Sequence, residues 1–213
     1  MDELQWQHAH DGIKLAANQV HVWVVSLNRA EAERRNLYQH LSADERDRAG
    51  RFHFDRDRFH YIVGRGILRQ LIGRYLGINP AQIEFEYGEY GKPMIHTTQQ
   101  MPDGWLEFNL SHSHGMALYA FVIDREVGVD IEQIRPLSDA HSIAERYFSA
   151  SEYEKFTAVP PTLQPQAFFN CWTRKEAYIK AIGDGLTCPL DAFDVTLTPG
   201  RPAQLLRIRG SIA

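Results

Sequence analysis

The feature that most constrains the fold of this 213-residue chain is a weak internal repeat. At an offset of 95 residues the segment 21–27 aligns with 116–122, and at an offset of 110 residues Arg65 aligns with Lys175. Self-similarity at a fixed spacing is typical of duplicated structural units. Chance similarity between two helix-strand units is the alternative. The repeat predicts two related α+β halves, which we divide as residues 1–105 and 106–213.

Composition places the chain among soluble globular proteins, with 44% hydrophobic and 23% charged residues. A formal net charge of −4 argues against a nucleic-acid-binding protein that relies on a positive field. No apolar run is long enough to cross a bilayer, and Met1-Asp2-Glu3 does not resemble the start of a signal peptide. We therefore expect a cytoplasmic protein that binds neither nucleic acid nor membrane. Cys171 and Cys188 are expected to stay thiols without a chemical role.

Local patterns predict an alternation of helices and strands. The capping-box pattern Ser42-Ala43-Asp44-Glu45 predicts the start of one helix, and an apolar periodicity from Phe59 to Leu76 predicts another that ends at Gly77. The polar stretch 111–115 is interpreted as a turn between two strands. The predicted strands are 21–27, 83–87, 105–110, 116–123 and 127–134.

Two carboxylates in the last predicted strand suggest a metal site. Alternation along 127–132 puts Asp130 and Glu132 on one face, roughly 6 to 7 Å apart at Cα. Like charges this close raise one another's pKa unless a cation lies between them. Mg²⁺, which prefers oxygen ligands, is the simplest such cation. The alternative is a strand whose outer face is merely acidic and solvated.

The run 172–183 predicts a helix that ends at Gly183 and carries a third acid. Glu176 and Lys180 share one face of it, which as an exposed pair would contribute about 0.2–0.5 kcal/mol. The alternative interpretation adds Glu176 to the metal site and turns Lys175 and Lys180 towards phosphates. Because Mg²⁺ usually shares protein carboxylates with substrate phosphate oxygens, this interpretation predicts a phosphate-ester or pyrophosphate substrate.

Further groups suited to anions lie elsewhere in the sequence. The stiff turn Tyr90-Gly91-Lys92-Pro93 presents one lysine, and the 111–114 stretch presents serines and histidines. A zinc site at His112 and His114 would need further ligands that the sequence does not cluster. Arginines between residues 46 and 65 form a basic face that is mostly solvated, with one or two candidates for binding a phosphate.

Taken together, these segments resemble the Sfp-type 4′-phosphopantetheinyl transferases. The Gly-x-Asp-x-Glu strand is a weak signal alone, and the Trp-x-x-Lys-Glu-x-x-x-Lys helix and the upstream Asn-x-Ser-His motif make the combination specific. The matching segments are 52–76, 90–93, 108–113, 128–132, 146–149 and 172–186.

The resemblance implies two similar α+β halves in a pseudo-twofold arrangement and a single active site. It also implies a Mg²⁺-dependent reaction that moves the phosphopantetheine arm of coenzyme A onto a serine of an apo acyl, peptidyl or aryl carrier protein and releases 3′,5′-ADP. A monomer is expected, because the two fused halves supply both sides of the site.

The resemblance also implies roles for individual residues. Asp130, Glu132 and Glu176 would hold the metal, with Glu132 bound directly or through water, and Glu176 would accept the serine proton directly or through a water. Lys180 would neutralise phosphates. The other implied coenzyme A contacts are Arg48, Lys92, Pro93, Ser111, His112 and Lys175, with Arg56, Arg58 and His60 competing for one further basic position.

Two other functions use the same residues. A metal-dependent phosphodiesterase would employ the clustered carboxylates to activate water. A non-catalytic module would bind carrier protein or coenzyme A through the same surface. Release of phosphate from generic diesters would identify the first, and tight binding without turnover would identify the second.

Overall fold

The computed structural model describes residues 6–7, 13–101, 104–183 and 187–208, and within these ranges it has six α-helices and seven strands. The α+β class predicted from the sequence is confirmed. In chain order the elements are β1 (His21–Ser26), α1 (Glu31–Gln39), α2 (Ala43–Gly50), α3 (Asp55–Leu76), β2 (Phe85–Tyr87), β3 (Pro93–Ile95), β4 (Leu106–Ser113), β5 (Met116–Ile123), α4 (Ala140–Tyr147), α5 (Ala150–Ala158), α6 (Gln164–Ile182), β6 (Phe193–Val195) and β7 (Leu205–Ile208).

One short helix in each half starts with a serine and a glutamate three residues later. The Ser42 backbone N–H donates to Glu45 Oε2 at 3.0 Å at the start of α2. At the start of α5, the Ser149 N–H donates to Glu152 Oε2 at 2.9 Å, and Ser149 Oγ accepts the Glu152 N–H at 3.2 Å. These bonds satisfy backbone donors that have no partner inside a helix. The start predicted at Ser42 is confirmed.

The two long helices both end at a glycine in the left-handed conformation. Gly77 follows α3 with φ 68°, and Gly183 follows α6 with φ 79°. A residue with a Cβ is disfavoured there, so both predicted helix ends are confirmed. The motif residues 184–186 lie outside the described residues. None of the helices in the described part of the chain is long and apolar enough to cross a membrane.

A three-stranded antiparallel sheet in the order β1-β5-β4 joins the two strands of the internal repeat. Trp23 of β1 pairs with Tyr119 of β5, and the paired strands run in opposite directions. Antiparallel neighbours are related by a local twofold axis, which is the relation expected of two duplicated halves. Two small hairpins, β2-β3 and β6-β7, follow α3 and α6 respectively.

The two larger hydrophobic cores among the described residues are built from different elements. In the first, α3 packs on the sheet, and β4 and β5 contribute to it although they follow residue 105. In the second, α4, α5 and α6 pack together with β6. The exact division of the halves remains a prediction. Representative core residues are Leu68, Ile72, Phe108 and Phe121 in the first, and Phe148, Phe156, Phe168 and Phe193 in the second.

Two predicted elements differ from the structure. Ser111 and His112 lie inside β4, paired with Leu118 and Ala117, so the predicted 111–115 turn is reduced to His114 and Gly115. The segment 127–134 is not a strand. Its Val129 N–H donates to a side chain of β4 at 3.0 Å instead of a backbone ladder. Alternation in a sequence identifies extended backbone, but it does not identify the partner of that backbone.

Candidate active site

Two cavities lie next to β4, and Leu110 and His112 line both of them. The first has a volume of about 1250 Å³ and contains the predicted acids. The second has a volume of about 930 Å³ and is rich in basic side chains. Polar residues lining the first include Ser111, Asp130, Glu132, Glu176 and Lys180, and those lining the second include Arg48, Arg56, His60, Arg65 and His114.

Asp130 is largely enclosed, with 6% of its side chain exposed. Its Oδ1 accepts the Ser111 hydroxyl at 2.7 Å and the Lys180 ammonium at 2.5 Å. Its Oδ2 is buried and has no hydrogen-bond partner among the residues that the structure describes. An unsatisfied buried carboxylate oxygen is costly, so this atom is suited to a cation or donor that enters with a ligand.

Glu132 reaches the same cavity two residues later. Its Oε2 accepts the Ser113 hydroxyl at 2.7 Å. The period-2 alternation therefore holds along this segment even without a sheet partner, and both carboxylates line one cavity as predicted. The 127–134 segment, called the acid segment below, is held to β4 by side chains of that strand.

Gly128 brings the acid segment close to α6. A Cβ at this position would lie 1.9 Å from the Ala177 carbonyl oxygen and 2.5 Å from the Ala181 nitrogen, distances that no side chain allows. Glycine is therefore required for the backbone contact. Ala177 and Ala181 directly follow Glu176 and Lys180 on α6, so this contact brings both charged residues near Asp130.

Glu176 lies among these charges, and its pKa is raised above the ordinary carboxyl range. Burial is the main cause, followed by the negative charge of Asp130. The Lys180 ammonium opposes the increase, and Glu132 adds to it. Acids from two distant parts of the sequence therefore share one electrostatic environment, and a perturbed carboxyl in a cavity is a candidate functional group.

The donor set is suited to Mg²⁺ bound together with a ligand. Within the described residues, no group of three or more His, Cys, Asp or Glu side chains is arranged to hold a metal ion on its own. Mg²⁺ does not need such a group, because it usually takes one or two carboxylates and completes its shell with phosphate oxygens and water. The unsatisfied Asp130 Oδ2 supplies one such ligand. Lys180 provides the positive charge on the other oxygen.

The structure corrects the expectation that Lys175 faces phosphates. Its side chain is fully buried, and its Nζ lies 2.7 Å from Glu152 Oε2. The same ammonium donates to the Leu190 and Phe193 carbonyl oxygens at 2.7 and 2.6 Å. All three of its donors are thus used inside the second core. The cause is helical geometry, because Lys175 lies about 100° around α6 from Glu176 and so points to a different side.

The basic cavity contains the predicted Arg48. Its guanidinium lies over the Tyr61 ring, 5.4 Å from the centroid. Of the three residues that compete for the further basic position, Arg56 and His60 line this cavity. Arg58 instead forms an ion pair with Asp55 at 2.9 Å.

Lys92 and Pro93 lie in the β2-β3 hairpin, next to the end of α6. The Lys92 ammonium donates to the Ala181 carbonyl oxygen at 2.9 Å. A cation at this end of a helix is favoured by the helix dipole. The contact joins the two halves of the chain, and the binding of coenzyme A by these two residues remains a prediction.

Sequence reasoning missed three residues that build the site. Asn109 and Ser113 hold the acid segment, and Gly128 allows its approach to α6. All three lie within the matched motifs, but none was given a role. Extending β4 to residue 113 would have placed residues 109, 111 and 113 on one face. Trp172 and Tyr147 also line the acidic cavity, with their rings packed edge to face at 6.0 Å.

Comparison with known proteins identifies the class. The family model of the 4′-phosphopantetheinyl transferase superfamily matches residues 126–212, and the model of the N-terminal part of 4′-phosphopantetheinyl transferases matches residues 28–122. Together they cover most of the chain. The chain therefore belongs to the 4′-phosphopantetheinyl transferase family.

Two individual relatives, HetI and Sfp, support this assignment. HetI, a 4′-phosphopantetheinyl transferase of Nostoc sp., is 40% identical over 200 residues, covering 94% of this chain and 83% of HetI. Sfp of Bacillus subtilis is 34% identical over 168 residues, covering 79% of this chain and 71% of Sfp. A solved holo-(acyl-carrier-protein) synthase from Bacillus anthracis matches 49% of this chain and 93% of its own, with a TM-score of 0.37 and 20% identity. The protein is thus an enzyme that transfers 4′-phosphopantetheine from coenzyme A to carrier proteins.

Proposed function

We propose that transfer takes place in the acidic cavity. Asp130, Glu132 and Glu176 are not arranged to hold a metal ion on their own, and they would hold one Mg²⁺ once the coenzyme A pyrophosphate supplies further ligands. The observation that carries this proposal is the buried Asp130 Oδ2, which has no hydrogen-bond partner among the described residues and lies beside Lys180. When bound, Mg²⁺ neutralises the charge that develops on the transferring phosphoryl group.

Lys180 is the cation of the chain itself that would act on the same charge. Its side chain is 29% exposed, and its ammonium contacts Asp130 Oδ1, Ser111 Oγ and the Val129 carbonyl oxygen. A lysine held by three acceptors is oriented before the substrate arrives, and such preorganisation is a main source of electrostatic catalysis. We assign Lys180 to the pyrophosphate.

Glu176 is proposed to accept the hydroxyl proton of the carrier serine. The serine oxygen meanwhile attacks the phosphorus that carries the pantetheine arm. The bond from that phosphorus to the bridging oxygen breaks, and 3′,5′-ADP leaves with the bridging oxygen. Burial and the charge of Asp130 raise the pKa of Glu176, which makes its carboxylate a stronger base than an exposed one.

The basic cavity is proposed to hold the nucleotide end of coenzyme A. Arg48 and His112 line it, and His112 also lines the acidic cavity. Ser111 lies on the same strand as His112 and contacts Asp130. A ligand that spans β4 would therefore meet cations at one end and carboxylates at the other.

The site lies between two halves of one chain, which supports a monomeric enzyme. We also propose a cytoplasmic location, whose reducing conditions disfavour disulfides. An apo carrier protein of the acyl, peptidyl or aryl type presents the free serine hydroxyl that this reaction needs, and we propose a carrier of one of these types as the partner.

The test is incubation with coenzyme A, Mg²⁺ and a panel of apo carrier proteins, followed by mass spectrometry. We expect the carrier to gain the mass of the phosphopantetheine arm. Asp130→Ala should abolish the gain while leaving the melting temperature close to that of the wild type. Full activity in Asp130→Ala would contradict the assignment of the metal site.

A further inference from the structure

Side chains on one face of β4 hydrogen-bond to the acid segment, in place of the backbone hydrogen bonds of a β-sheet. Asn109 Oδ1 accepts the Val129 N–H at 3.0 Å, Ser111 Oγ donates to Asp130 at 2.7 Å, and Ser113 Oγ donates to Glu132 at 2.7 Å. Alternate residues of a strand point to the same side, so the three contacts form one row.

Ser113 differs from Asn109 and Ser111 because its partner is the carboxylate of Glu132, at the end of a longer and more flexible side chain. Asn109 holds backbone, and the Asp130 carboxylate is already fixed by Lys180 and Ser111. A glutamate has one more rotatable bond than an aspartate, and ordering such a side chain costs conformational entropy. The Ser113 hydroxyl fixes Glu132 before a ligand binds.

The direction of the Ser113 hydroxyl is itself set by the hairpin. Ser113 Oγ lies 2.9 Å from His114 Nδ1. His114 has φ 47° and Gly115 has φ 77°, the positive values of a tight two-residue hairpin turn. A hydroxyl has a single proton, so when His114 Nδ1–H donates to Ser113, that proton is directed to Glu132.

We propose that Ser113 is a positioning residue for the transfer reaction, holding the Glu132 carboxylate in the orientation in which it binds the divalent cation. The inference rests on the proposed function, since it requires Glu132 to be a metal ligand. Partners that orient metal ligands typically change metal affinity or activity by 10- to 100-fold when removed.

The first experiment compares Ser113→Ala with Ser26→Ala. Both serines pair with Met116, on opposite sides of β5, but the Ser26 hydroxyl accepts a backbone N–H from Asn28. We expect Ser113→Ala to raise the Mg²⁺ concentration for half-maximal transfer about 10-fold. The KM for the carrier should not change, and saturating Mg²⁺ should restore kcat to within about threefold. Ser26→Ala should match the wild type.

Calorimetric titration of Mg²⁺ into the protein with coenzyme A gives a readout that does not depend on turnover. Affinity should fall about 10-fold in Ser113→Ala and remain at the wild-type level in Ser26→Ala. Equal affinities in the two variants would overturn the proposal. A wild type that transfers the arm without Mg²⁺ would instead overturn the metal site on which the proposal rests.

A second pair keeps the test independent of folding defects. Ser113→Thr and Ser113→Val have the same shape, suit a strand, and differ by one hydroxyl. Threonine should retain wild-type Mg²⁺ dependence, and valine should show the shift seen in Ser113→Ala. If both variants shift equally, packing at position 113 matters and the hydrogen bond to Glu132 does not.

Discussion

Both halves of the molecule bury a glutamate from a short helix against a cation from the long helix that follows. Glu45 Oε2 accepts Arg69 Nε at 2.6 Å in the first half, and Glu152 Oε2 accepts Lys175 Nζ at 2.7 Å in the second. Each cation also donates to two backbone carbonyl oxygens before or at the start of the hairpin in its own half. Arg69 donates to Pro80 and Ile83, and Lys175 donates to Leu190 and to Phe193, the first residue of β6. The two halves are therefore stabilised by the same construction.

The halves differ where the long helix meets the segment packed on it. At an offset of 110 residues the counterpart of Glu176 is Gly66, and at an offset of 95 the counterpart of Glu132 is Leu37. A Cβ on Gly66 would lie 2.7 Å from the Leu37 Cβ, so α1 packs tightly on α3 there. The first half uses these positions for packing, and the second uses them for carboxylates. One active site per chain follows from that difference.

The largest effect is expected from removing the carboxylate that has no counterpart in the first half. Glu176→Gln should lower kcat about 10³-fold, because an amide cannot accept the serine proton. The melting temperature should stay the same or rise slightly, because the repulsion of Glu176 by Asp130 and Glu132 is removed. Kinetics at saturating coenzyme A and thermal melting measure the two quantities. If kcat stays within about threefold of the wild-type value, Glu176 is not the base.

The next largest effect concerns the construction that the halves share. Lys175→Met leaves Glu152 charged and buried, and should cost about 3–5 kcal/mol of unfolding free energy in urea titrations. Arg69→Met should cost about 1–3 kcal/mol, because Arg65 still pairs with Glu45.

The double variant Glu152→Gln with Lys175→Met serves as the control for buried charge. It should recover at least half of the loss, because no unpaired buried charge remains. An unfolding free energy of Lys175→Met within about 0.5 kcal/mol of the wild type would show that the pair contributes little.

Substituting one glycine in each half should have a smaller effect and tests whether the tight backbone contacts of the two halves serve the same purpose. Gly66→Ala and Gly128→Ala both force a close contact and should destabilise by about 1–3 kcal/mol or more. Only Gly128→Ala should also lower kcat/KM, by about 10²-fold, because it pushes the acid segment away from α6. Assays below the melting temperature of each variant separate the effects. Equal activity losses in the two variants would mean that stability alone explains them.

The smallest effect is a difference in pH dependence. Burial raises the pKa of Glu45, but the Arg69 hydrogen bond and the Arg65 charge outweigh it and hold the pKa below its usual value. The stability that charged Glu45 gives the fold is fully present above the pKa of an unfolded glutamate, about 4.3. It is lost as the pH falls through the lower pKa that Glu45 has in the folded protein. The pKa of Glu176 is raised, so its charged form destabilises the fold at neutral pH. This destabilisation is removed as the pH falls and Glu176 becomes protonated.

Urea midpoints measured from neutral pH down to about pH 3 should therefore fall less steeply in Glu45→Gln than in the wild type. Glu176→Gln should fall more steeply than the wild type. Parallel curves for all three proteins would contradict both assignments.

The sequence was sufficient for features encoded locally. Apolar periodicity, the Ser42-Glu45 pattern and the glycines after α3 and α6 each depend on neighbouring residues, and the structure confirms the elements they predict. Alternation likewise placed Asp130 and Glu132 on one side. The repeat was detectable because apolar and glycine positions agree between the two halves.

Features that depend on distant partners were not predictable. Lys175 precedes Glu176 in a motif, but only the position of Glu152, more than twenty residues away in sequence, shows that it is buried in an ion pair. The acid segment alternates like a strand, yet its partners are side chains of β4. In both cases the local pattern gave the conformation and the tertiary contacts decided the role.

The most direct test is the anomalous scattering of Mn²⁺ in crystals of the enzyme with coenzyme A. We expect one strong peak in the acidic cavity, about 2.1 Å from carboxylate oxygens of the acid segment and close to Glu176, with Lys180 turned towards the pyrophosphate. A peak elsewhere, or none while Lys180 stays on Asp130, would contradict the account.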